Sequence, residues 1–211
     1  MNIVLDPGHG KNTSGKRSPD STLMEYEFNQ DVCNKVLQLL KDNKFGISLI
    51  MTRPLNGNDT PLAERCRIAK NFKPDLLFSV HANAYNPPAN IKQPDGSIKV
   101  VYQNIWNSAN GFEVFYGHKH SPVECNQLAD MFIKNVKPMN EKYQIRFRRK
   151  ESNSKFNFYI LNGVNTPCIL IEFAFFTNKR ECELLKSQEY RMDAANVIVK
   201  TIMEWRDLKK K

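Results

Sequence analysis

The sequence lacks long apolar runs, paired cysteine motifs and several common catalytic signatures. No window of about 18 consecutive apolar residues occurs, so no segment is predicted to span a membrane. The five cysteines include no Cys-x-x-Cys pair, and we expect buried free thiols and no disulfides. No His-Glu-x-x-His helix, Gly-x-Ser-x-Gly elbow or glycine-rich phosphate loop is present. The first residues lack a basic start and a long apolar run, so we expect synthesis in the cytoplasm without a signal peptide.

The composition is that of an ordinary globular protein with an excess of basic residues. With 211 residues, 41% hydrophobic, the chain fits a single domain over 1–211 with a sizeable core. Its 31 Lys and Arg against 22 Asp and Glu give a net charge of +9. Six basic residues fall in the segment 140–155. This charge favours an anionic partner, either nucleic acid or an anionic cell surface, but a solvated basic face without a ligand would give the same pattern.

Hydrophobic periodicity predicts alternating strands and helices. We therefore predict the α/β class: a mostly parallel, twisted sheet flanked by helices. Residues 86–110 are predicted to form an insertion loop, with a small hairpin near Asp95-Gly96. A capping box is predicted at Ser121 to Glu124, and Thr22 to Glu25 matches the same pattern. The predicted strands are 3–5, 47–52, 75–80, 112–116, 156–161 and 168–175, and the predicted helices are 22–43, 60–72, 121–136, 179–186 and 187–208.

Two histidines occupy equivalent positions after predicted buried strands. His9 follows the strand 3–5 after the turn Asp6-Pro7-Gly8, and His81 follows Val80 at the end of another strand. The carboxyl ends of parallel strands share one edge of a sheet, which is where ligands bind. Each histidine alone is more simply explained as a structural residue, but the pair predicts a metal site at that edge, because neutral imidazole is a common zinc ligand. Asp6 is a candidate for fixing the tautomer of His9.

Two carboxylates complete the candidate site. Glu25, in the first turn of a helix, is a candidate third ligand. It could instead cap that helix, and Glu27 competes for the ligand role. Glu172 lies within the apolar strand 168–175, where an unpaired charge is costly. It must therefore bind a metal, carry a raised pKa for acid–base work, or form an ion pair with a group such as Arg53 or Arg65.

Several blocks of the sequence together resemble a known family. They are Ile-Val-Leu-Asp-Pro-Gly-His-Gly (residues 3–10), Leu-Met-Glu (23–25), Phe-Ser-Val-His-Ala-Asn-Ala (78–84) and Ile-Leu-Ile-Glu-Phe-Ala-Phe-Phe-Thr-Asn (169–178). In this order they resemble the signature blocks of zinc-dependent N-acetylmuramoyl-L-alanine amidases, which occur among bacterial cell-wall hydrolases and phage endolysins. The blocks Thr-Arg (52–53), Leu-Ala-Glu-Arg (62–65) and Gly-Phe-Glu-Val (111–114) also match.

The resemblance implies one zinc ion per chain, held by His9, Glu25 and His81, and it favours Glu25 over Glu27. It implies Glu172 as the catalytic carboxylate and suggests Asn83 as a substrate contact. The implied reaction is hydrolysis of the amide between N-acetylmuramic acid and L-alanine in peptidoglycan.

The implied setting is the cell wall, reached after release at phage-type lysis or by non-classical export. No wall-binding domain is expected within 1–211, and the basic surface could bind anionic wall polymers instead. A zinc peptidase or deacetylase acting on another wall amide is the alternative enzyme. No nucleic-acid partner is expected, because no groove-reading motif is present.

Overall fold

The computed structural model describes residues 1–41, 45–54 and 57–210, and a six-stranded sheet lies at its centre. The strands are β1 (Asn2–Pro7), β2 (Ser48–Met51), β3 (Leu76–Asn83), β4 (Pro88–Lys92), β5 (Ile98–Tyr102), β6 (Phe112–Tyr116), β7 (Phe147–Ser152) and β8 (Cys168–Phe175). The helices are α1 (Glu25–Leu39), α2 (Leu62–Phe72), α3 (Pro122–Lys142), α4 (Tyr159–Asn162), α5 (Lys179–Lys186) and α6 (Gln188–Lys209).

The central sheet has the order β2-β1-β3-β8-β6-β7. Four of its five neighbouring pairs are parallel, and only β6 and β8 run antiparallel. The predicted fold class, a mostly parallel sheet flanked by helices, is therefore confirmed. Parallel strands need helical crossovers, and these cover both faces of the sheet.

The strand period of two divides the core into two layers. Along β1, Ile3 and Leu5 pack with α1, α3 and α6, whereas Val4 faces α2 and α4 on the other side. The same alternation in β8 sends Ile171 to the first layer and Leu170 to the second. A strand buried on both faces reads as an unbroken apolar run, which is why these strands were predictable from sequence.

The predicted strand at 156–161 is wrong. The sixth strand of the sheet is β7, which lies earlier in the chain at the sheet's edge. Its sequence, Phe-Arg-Arg-Lys-Glu-Ser, contains no apolar run, because charged side chains are common on edge strands. Phe156 and Phe158 instead stack on each other with an interplanar angle of 6°, and the helix α4 begins directly after them.

Three helix predictions need correction. Helix α3 continues past Val136 to Lys142 despite Pro138, because its apolar stripe continues from Phe132 through Val136 to Met139. The capping box predicted at 121–124 does not form: Ser121 makes no side-chain cap, and Glu124 pairs with Lys209 on α6. Helix α1 is shorter at both ends than predicted, and the predicted end near residue 43 lies outside the described residues.

The hairpin predicted within the 86–110 insertion forms. Strands β4 and β5 pair antiparallel, and Gly96 takes a φ of +85° in the turn between them. Asp95 accepts hydrogen bonds from the backbone N–H and the hydroxyl of Ser97, as is usual for aspartate in turns.

Five of the six basic residues in the segment 140–155 form ion pairs with carboxylates of the same chain. Arg148 and Arg149 pair with Glu113, Lys150 with Asp130, Lys155 with Glu151, and Lys142 with Glu189 and Asp193. The surplus positive charge of the chain therefore does not reside in this segment alone.

The expected chemistry of the cysteines is confirmed, since all five are free and buried. Among the residues that the structure describes, no helix combines the length and the apolar character needed to cross a bilayer.

Candidate metal centre and active site

Strand register places the candidate residues together at the carboxyl edge of the sheet. Pro7 pairs with Val80, so His9 lies just beyond the end of β1 and beside β3. His81 pairs directly with Glu172 on β8. Both His81 and Glu172 point to the face covered by α2 and α4, because they alternate with the residues of the other layer.

The turn after β1 depends on two glycines. His9 itself has a φ of +57°, which few residues other than glycine adopt. A Cβ on Gly8 would lie 2.1 Å from the ring of His81, and a Cβ on Gly10 would lie 2.2 Å from the backbone nitrogen of Asp59. Any side chain at either position would therefore displace His81 or the loop at Asp59, so packing requires glycine on both sides of His9.

Glu25 stands at the first position of α1, and a neighbour performs the capping. The side chain of Glu27 accepts a hydrogen bond from the Met24 backbone N–H at 3.1 Å, so Glu27 and not Glu25 caps the helix. The alternative role of Glu25, capping of the helix, is therefore wrong. Asn29, one turn later and fully buried, donates to the Gly8 carbonyl at 2.9 Å and to Glu25 Oε1 at 3.4 Å. Its position four residues after Glu25 was the available sequence signal for this contact.

His9, Glu25 and His81 form one compact group. Nδ1 of His81 lies 3.1 Å from Oε1 of Glu25, and Nε2 of His9 lies 3.4 Å from Oε2. One ligand atom from each residue falls within 4.8 Å of the other two. The two imidazole rings meet edge to face, with centroids 5.1 Å apart.

The electrostatics of this group keep Glu25 charged. Burial alone would raise its pKa, but the hydrogen bond and charge of His81 and the charge of His9 lower it to about 2. Burial, reinforced by His81 and Lys16, lowers the pKa of His9 to about 4 and keeps it neutral. Burial opposes charge on His81 too, but the carboxylates of Glu25 and Glu172 outweigh it and raise its pKa. The ionised carboxylate of Glu25 beside the neutral imidazole of His9 favours a cation, and a bound cation would displace the proton that the raised pKa favours on His81.

Glu172 is held close to this group but outside it. Burial raises the pKa of Glu172 to about 8, and the negative charges of Glu25 and Glu113 add to this effect, while His81 and Lys16 oppose it. Its Oε2 is buried and has no hydrogen-bond partner among the described residues. The alternative explanation, an ion pair with Arg53 or Arg65, is wrong: Arg53 donates to the Pro7 carbonyl, and Arg65 binds other carboxylates.

Arg65 supports the turn that presents His9. Its buried guanidinium donates to Asp6 Oδ1 at 2.8 Å, to the Pro7 carbonyl at 2.6 Å and to the His9 carbonyl at 3.1 Å. It also binds Asp59 Oδ1 at 2.6 Å. Asp6 is occupied by Arg65, Thr52 and Ser79, so its predicted role in fixing the tautomer of His9 is wrong. Asp6 acts on the turn through Arg65.

Asn83 belongs to a second polar network on the other side of Glu172. Its amide nitrogen donates to Glu113 Oε2 at 2.9 Å, and its amide oxygen accepts from the Ala84 backbone N–H at 2.8 Å. Glu113, which pairs in register with Glu172, also accepts from Arg148 at 2.7 Å. Sequence reasoning did not single out Glu113 as a site residue, because only the pairing of β6 with β8 brings it there.

A cavity of about 420 Å³ opens over this edge of the sheet. Its floor holds His9, His81 and Glu172, and Lys16 lies at its margin, 3.9 Å from Glu25 Oε2. Its apolar lining comes from the starts of α2 and α4 and the residue before each helix: Pro61, Leu62, Phe158, Tyr159 and Ile160. An apolar cleft with a few convergent polar groups is the usual form of a small-molecule site.

The residues present fit a zinc ion. Glu25 Oε2 is buried without a hydrogen-bond partner among the described residues, although the carboxylate is ionised. A buried carboxylate oxygen without a hydrogen bond is costly unless a cation satisfies it. Two imidazoles with one carboxylate are a donor set of catalytic zinc sites, in which three protein ligands leave one position open. The fold and the donor set together are typical of zinc hydrolases.

The comparisons with known proteins agree with a hydrolase. A profile of the N-acetylmuramoyl-L-alanine amidase family matches residues 3–204, and the chain belongs to that family. It is 29% identical over 199 residues to the N-acetylmuramoyl-L-alanine amidase LytC of Bacillus subtilis (strain 168), covering 93% of this chain and 34% of LytC. It is 28% identical over 211 residues to the endolysin of Bacillus phage SPP1, covering 99% of this chain and 67% of the endolysin. The chain thus spans about a third of the length of LytC.

Solved structures share the whole fold. The N-acetylmuramoyl-L-alanine amidase from Clostridium difficile 630 superimposes with a TM-score of 0.77 and 26% identity, over 98% of this chain and 97% of that chain. The catalytic domain of the amidase CwlV from Bacillus (Paenibacillus) polymyxa var. colistinus gives a TM-score of 0.76 and 25% identity, over 98% of both chains.

Proposed function

We propose that the chain hydrolyses the amide between N-acetylmuramic acid and L-alanine in peptidoglycan, using one zinc ion bound by His9, Glu25 and His81. The observation that carries this proposal is the convergence of those three side chains within 4.8 Å, next to a second carboxylate on a neighbouring strand. Membership of the amidase family supports the choice of substrate.

Glu172 is the proposed catalytic carboxylate. When bound, zinc would supply a Lewis acid for the scissile carbonyl and lower the pKa of water towards about 7. Glu172 takes a proton from the attacking water and delivers it to the nitrogen of L-alanine as the amide bond breaks. The products are the free carboxylate of the muramic acid lactyl group and a stem peptide with a free amino terminus. Burial raises the pKa of Glu172 to about 8 in the metal-free chain, and the positive charge of a bound zinc ion would lower it, so that an ionised Glu172 can accept the proton of water near neutral pH.

The other residues orient the reacting groups. Asn29 and Arg65 bind the Gly8 and His9 carbonyls and so hold the turn that presents His9. Substrate contact by Asn83 stays a prediction. In the structure its amide nitrogen donates to Glu113 and its amide oxygen accepts from the Ala84 backbone N–H. The net charge of +9 supports a further proposal, that the chain is held on the anionic polymers of the wall.

Product analysis tests the reaction. Purified cell walls are digested, and the soluble products are identified by mass spectrometry. The proposal requires intact stem peptides that begin with L-alanine, released from full-length glycan, and loss of this release with a chelator and its return with zinc. Cleavage within the stem peptide would instead identify a peptidase. Release of acetate from the glycan, without release of stem peptides, would identify a deacetylase.

The role of Glu172 is tested with Glu172→Gln, which keeps the size of the side chain. We expect unchanged zinc content and a rate lowered by about 10²–10⁴-fold, the usual contribution of general acid–base catalysis. The exposed Glu183→Gln serves as the matched control and should retain full activity. A fully active Glu172→Gln enzyme would show that another group moves the proton.

A further inference from the structure

An exposed aromatic ring stands on the wall of the cavity beside the candidate metal centre. Tyr159, the first residue of α4, is 52% exposed and lines the cavity together with Phe158 and Ile160. On another wall of the same cavity, Leu62 is also 52% exposed. Large apolar side chains exposed around a cleft mark a binding surface more often than isolated ones do.

The segment that carries Tyr159 is held rigidly. Asn153 is fully buried, and its amide oxygen accepts from the Phe158 backbone N–H at 2.6 Å. Its amide nitrogen donates to the Phe158 carbonyl and to Asn162 Oδ1, each at 3.0 Å. Phe158 also packs edge to face on Phe115, with ring centroids 4.9 Å apart. Phe158 thus packs against the core, and these contacts hold the adjacent Tyr159 in place at the cavity.

The chemistry of this wall suits a sugar ring better than a peptide. Phe158, Tyr159 and Ile160 offer apolar side-chain surface. A pyranose has one face of polarised C–H bonds, which the negative face of an aromatic ring attracts, while its hydroxyl groups stay at the rim in water. A peptide would need hydrogen-bonding partners that these three side chains do not offer, apart from the single hydroxyl of Tyr159.

We propose that Tyr159 stacks on the pyranose ring of N-acetylmuramic acid and so forms the sugar subsite of the enzyme. This inference rests on the proposed function, since it names the part of that substrate which the α4 wall binds. Tyr159 would then decide how strongly cleavage depends on the sugar, and the metal centre and Glu172 would act on the amide beside it.

Two soluble substrates with the same scissile bond test the subsite. N-acetylmuramoyl-L-alanyl-D-isoglutamine carries the pyranose, whereas D-lactoyl-L-alanyl-D-isoglutamine lacks it. We expect Tyr159→Ala to lower the ratio of kcat/KM between these substrates by about 2- to 10-fold, the size expected for one aromatic contact. Tyr159→Phe should keep the ratio within twofold. Tyr102→Ala, which removes a 73% exposed tyrosine on β5, is the matched control and should not change the ratio.

Equal losses on both substrates with Tyr159→Ala would overturn the sugar subsite, and so would a loss with Tyr159→Phe as large as that with Tyr159→Ala. A binding measurement keeps the inference testable apart from catalysis. In the zinc-loaded Glu172→Gln background, calorimetric titration with free N-acetylmuramic acid should show weaker binding after Tyr159→Ala, and titration with D-lactate should not. If the wild-type chain cleaves neither substrate, the proposed function fails, while this titration still decides whether Tyr159 binds the sugar.

Discussion

Replacement of Arg65 by methionine should destabilise the fold and the candidate metal centre together. The guanidinium of Arg65 is 2% exposed and donates to Asp6, Asp59 and three backbone carbonyls, those of Thr60, Pro7 and His9. Methionine has a similar length but no charge and no donor. The substitution would leave the buried carboxylate of Asp6 without its cation. It would also leave the carbonyls of Pro7 and His9 without the guanidinium donor.

The expected loss is large compared with the stability of the protein. Breaking a buried ion pair by removing one partner costs about 3–5 kcal/mol, whereas small domains have only about 5–15 kcal/mol in total. Arg67→Met provides a control on the same helix. The side chain of Arg67 is 63% exposed and pairs with Glu64, so its loss should cost far less than the loss of Arg65. Urea denaturation of both metal-free variants, followed by circular dichroism at pH 7, measures the difference.

The pH dependence gives a second check on the same reasoning. Burial alone would raise the pKa of Asp6, but Arg65 and the hydrogen bonds from Ser79 and Thr52 hold it below its usual range. The stability from this carboxylate is therefore present above its unfolded pKa of about 3.9 and is lost as the pH falls through the folded pKa. Without Arg65, burial raises the pKa of Asp6, so Asp6 becomes protonated in the folded variant as the pH falls. The difference in unfolding free energy between the wild type and Arg65→Met should therefore shrink as the pH falls from 7 to 4. Equal losses for Arg65→Met and Arg67→Met at pH 7 would refute the account.

Three further predictions concern the metal, the proton and the charge of the chain. His81→Ala should lower the zinc bound per chain, measured by elemental analysis; a full equivalent of zinc would remove His81 from the ligand set. Because burial raises the pKa of Glu172 from 4.5 to about 8, the folded metal-free chain holds a proton that the unfolded chain releases, so its unfolding free energy should fall as pH rises between these values. Glu172→Gln should reduce this slope by up to about 1.4 kcal/mol per pH unit in urea denaturation, and an unchanged slope would contradict the raised pKa. Finally, lysis of whole cells should weaken with added salt much more than cleavage of a soluble muropeptide, because exposed charges are screened at about 8 Å in physiological salt; equal salt sensitivity would argue against retention by charge.

The sequence was sufficient for those parts of the fold that local periodicity determines. The buried strands β1, β3 and β8 read as apolar runs, and the equivalent places of His9 and His81 after two of them indicated one edge of one sheet. Parallel strands align their carboxyl ends at one edge, and because β1 and β3 are neighbours in this sheet, the two histidines lie close together. This is why the candidate centre could be predicted before its geometry was known.

Contacts between distant parts of the chain were beyond local reasoning. Strand β7 carries four consecutive charged residues, whose partners include Glu113 on β6 for Arg148, so no apolar pattern marks it. Helix α3 passes Pro138 because burial of Met139 outweighs the local signal to stop. The capping patterns at Glu25 and Glu124 failed for the same reason, since tertiary partners compete for both carboxylates.

The central claim is that His9, Glu25 and His81 bind one zinc ion next to Glu172. Crystals of the zinc-loaded protein, measured on both sides of the zinc absorption edge, test it most directly. The account predicts one anomalous peak per chain, about 2.0–2.2 Å from one nitrogen of each histidine and from a carboxylate oxygen of Glu25, with Glu172 nearby but not bound. A peak at other residues, or none at these three in a protein that hydrolyses peptidoglycan, would contradict the account.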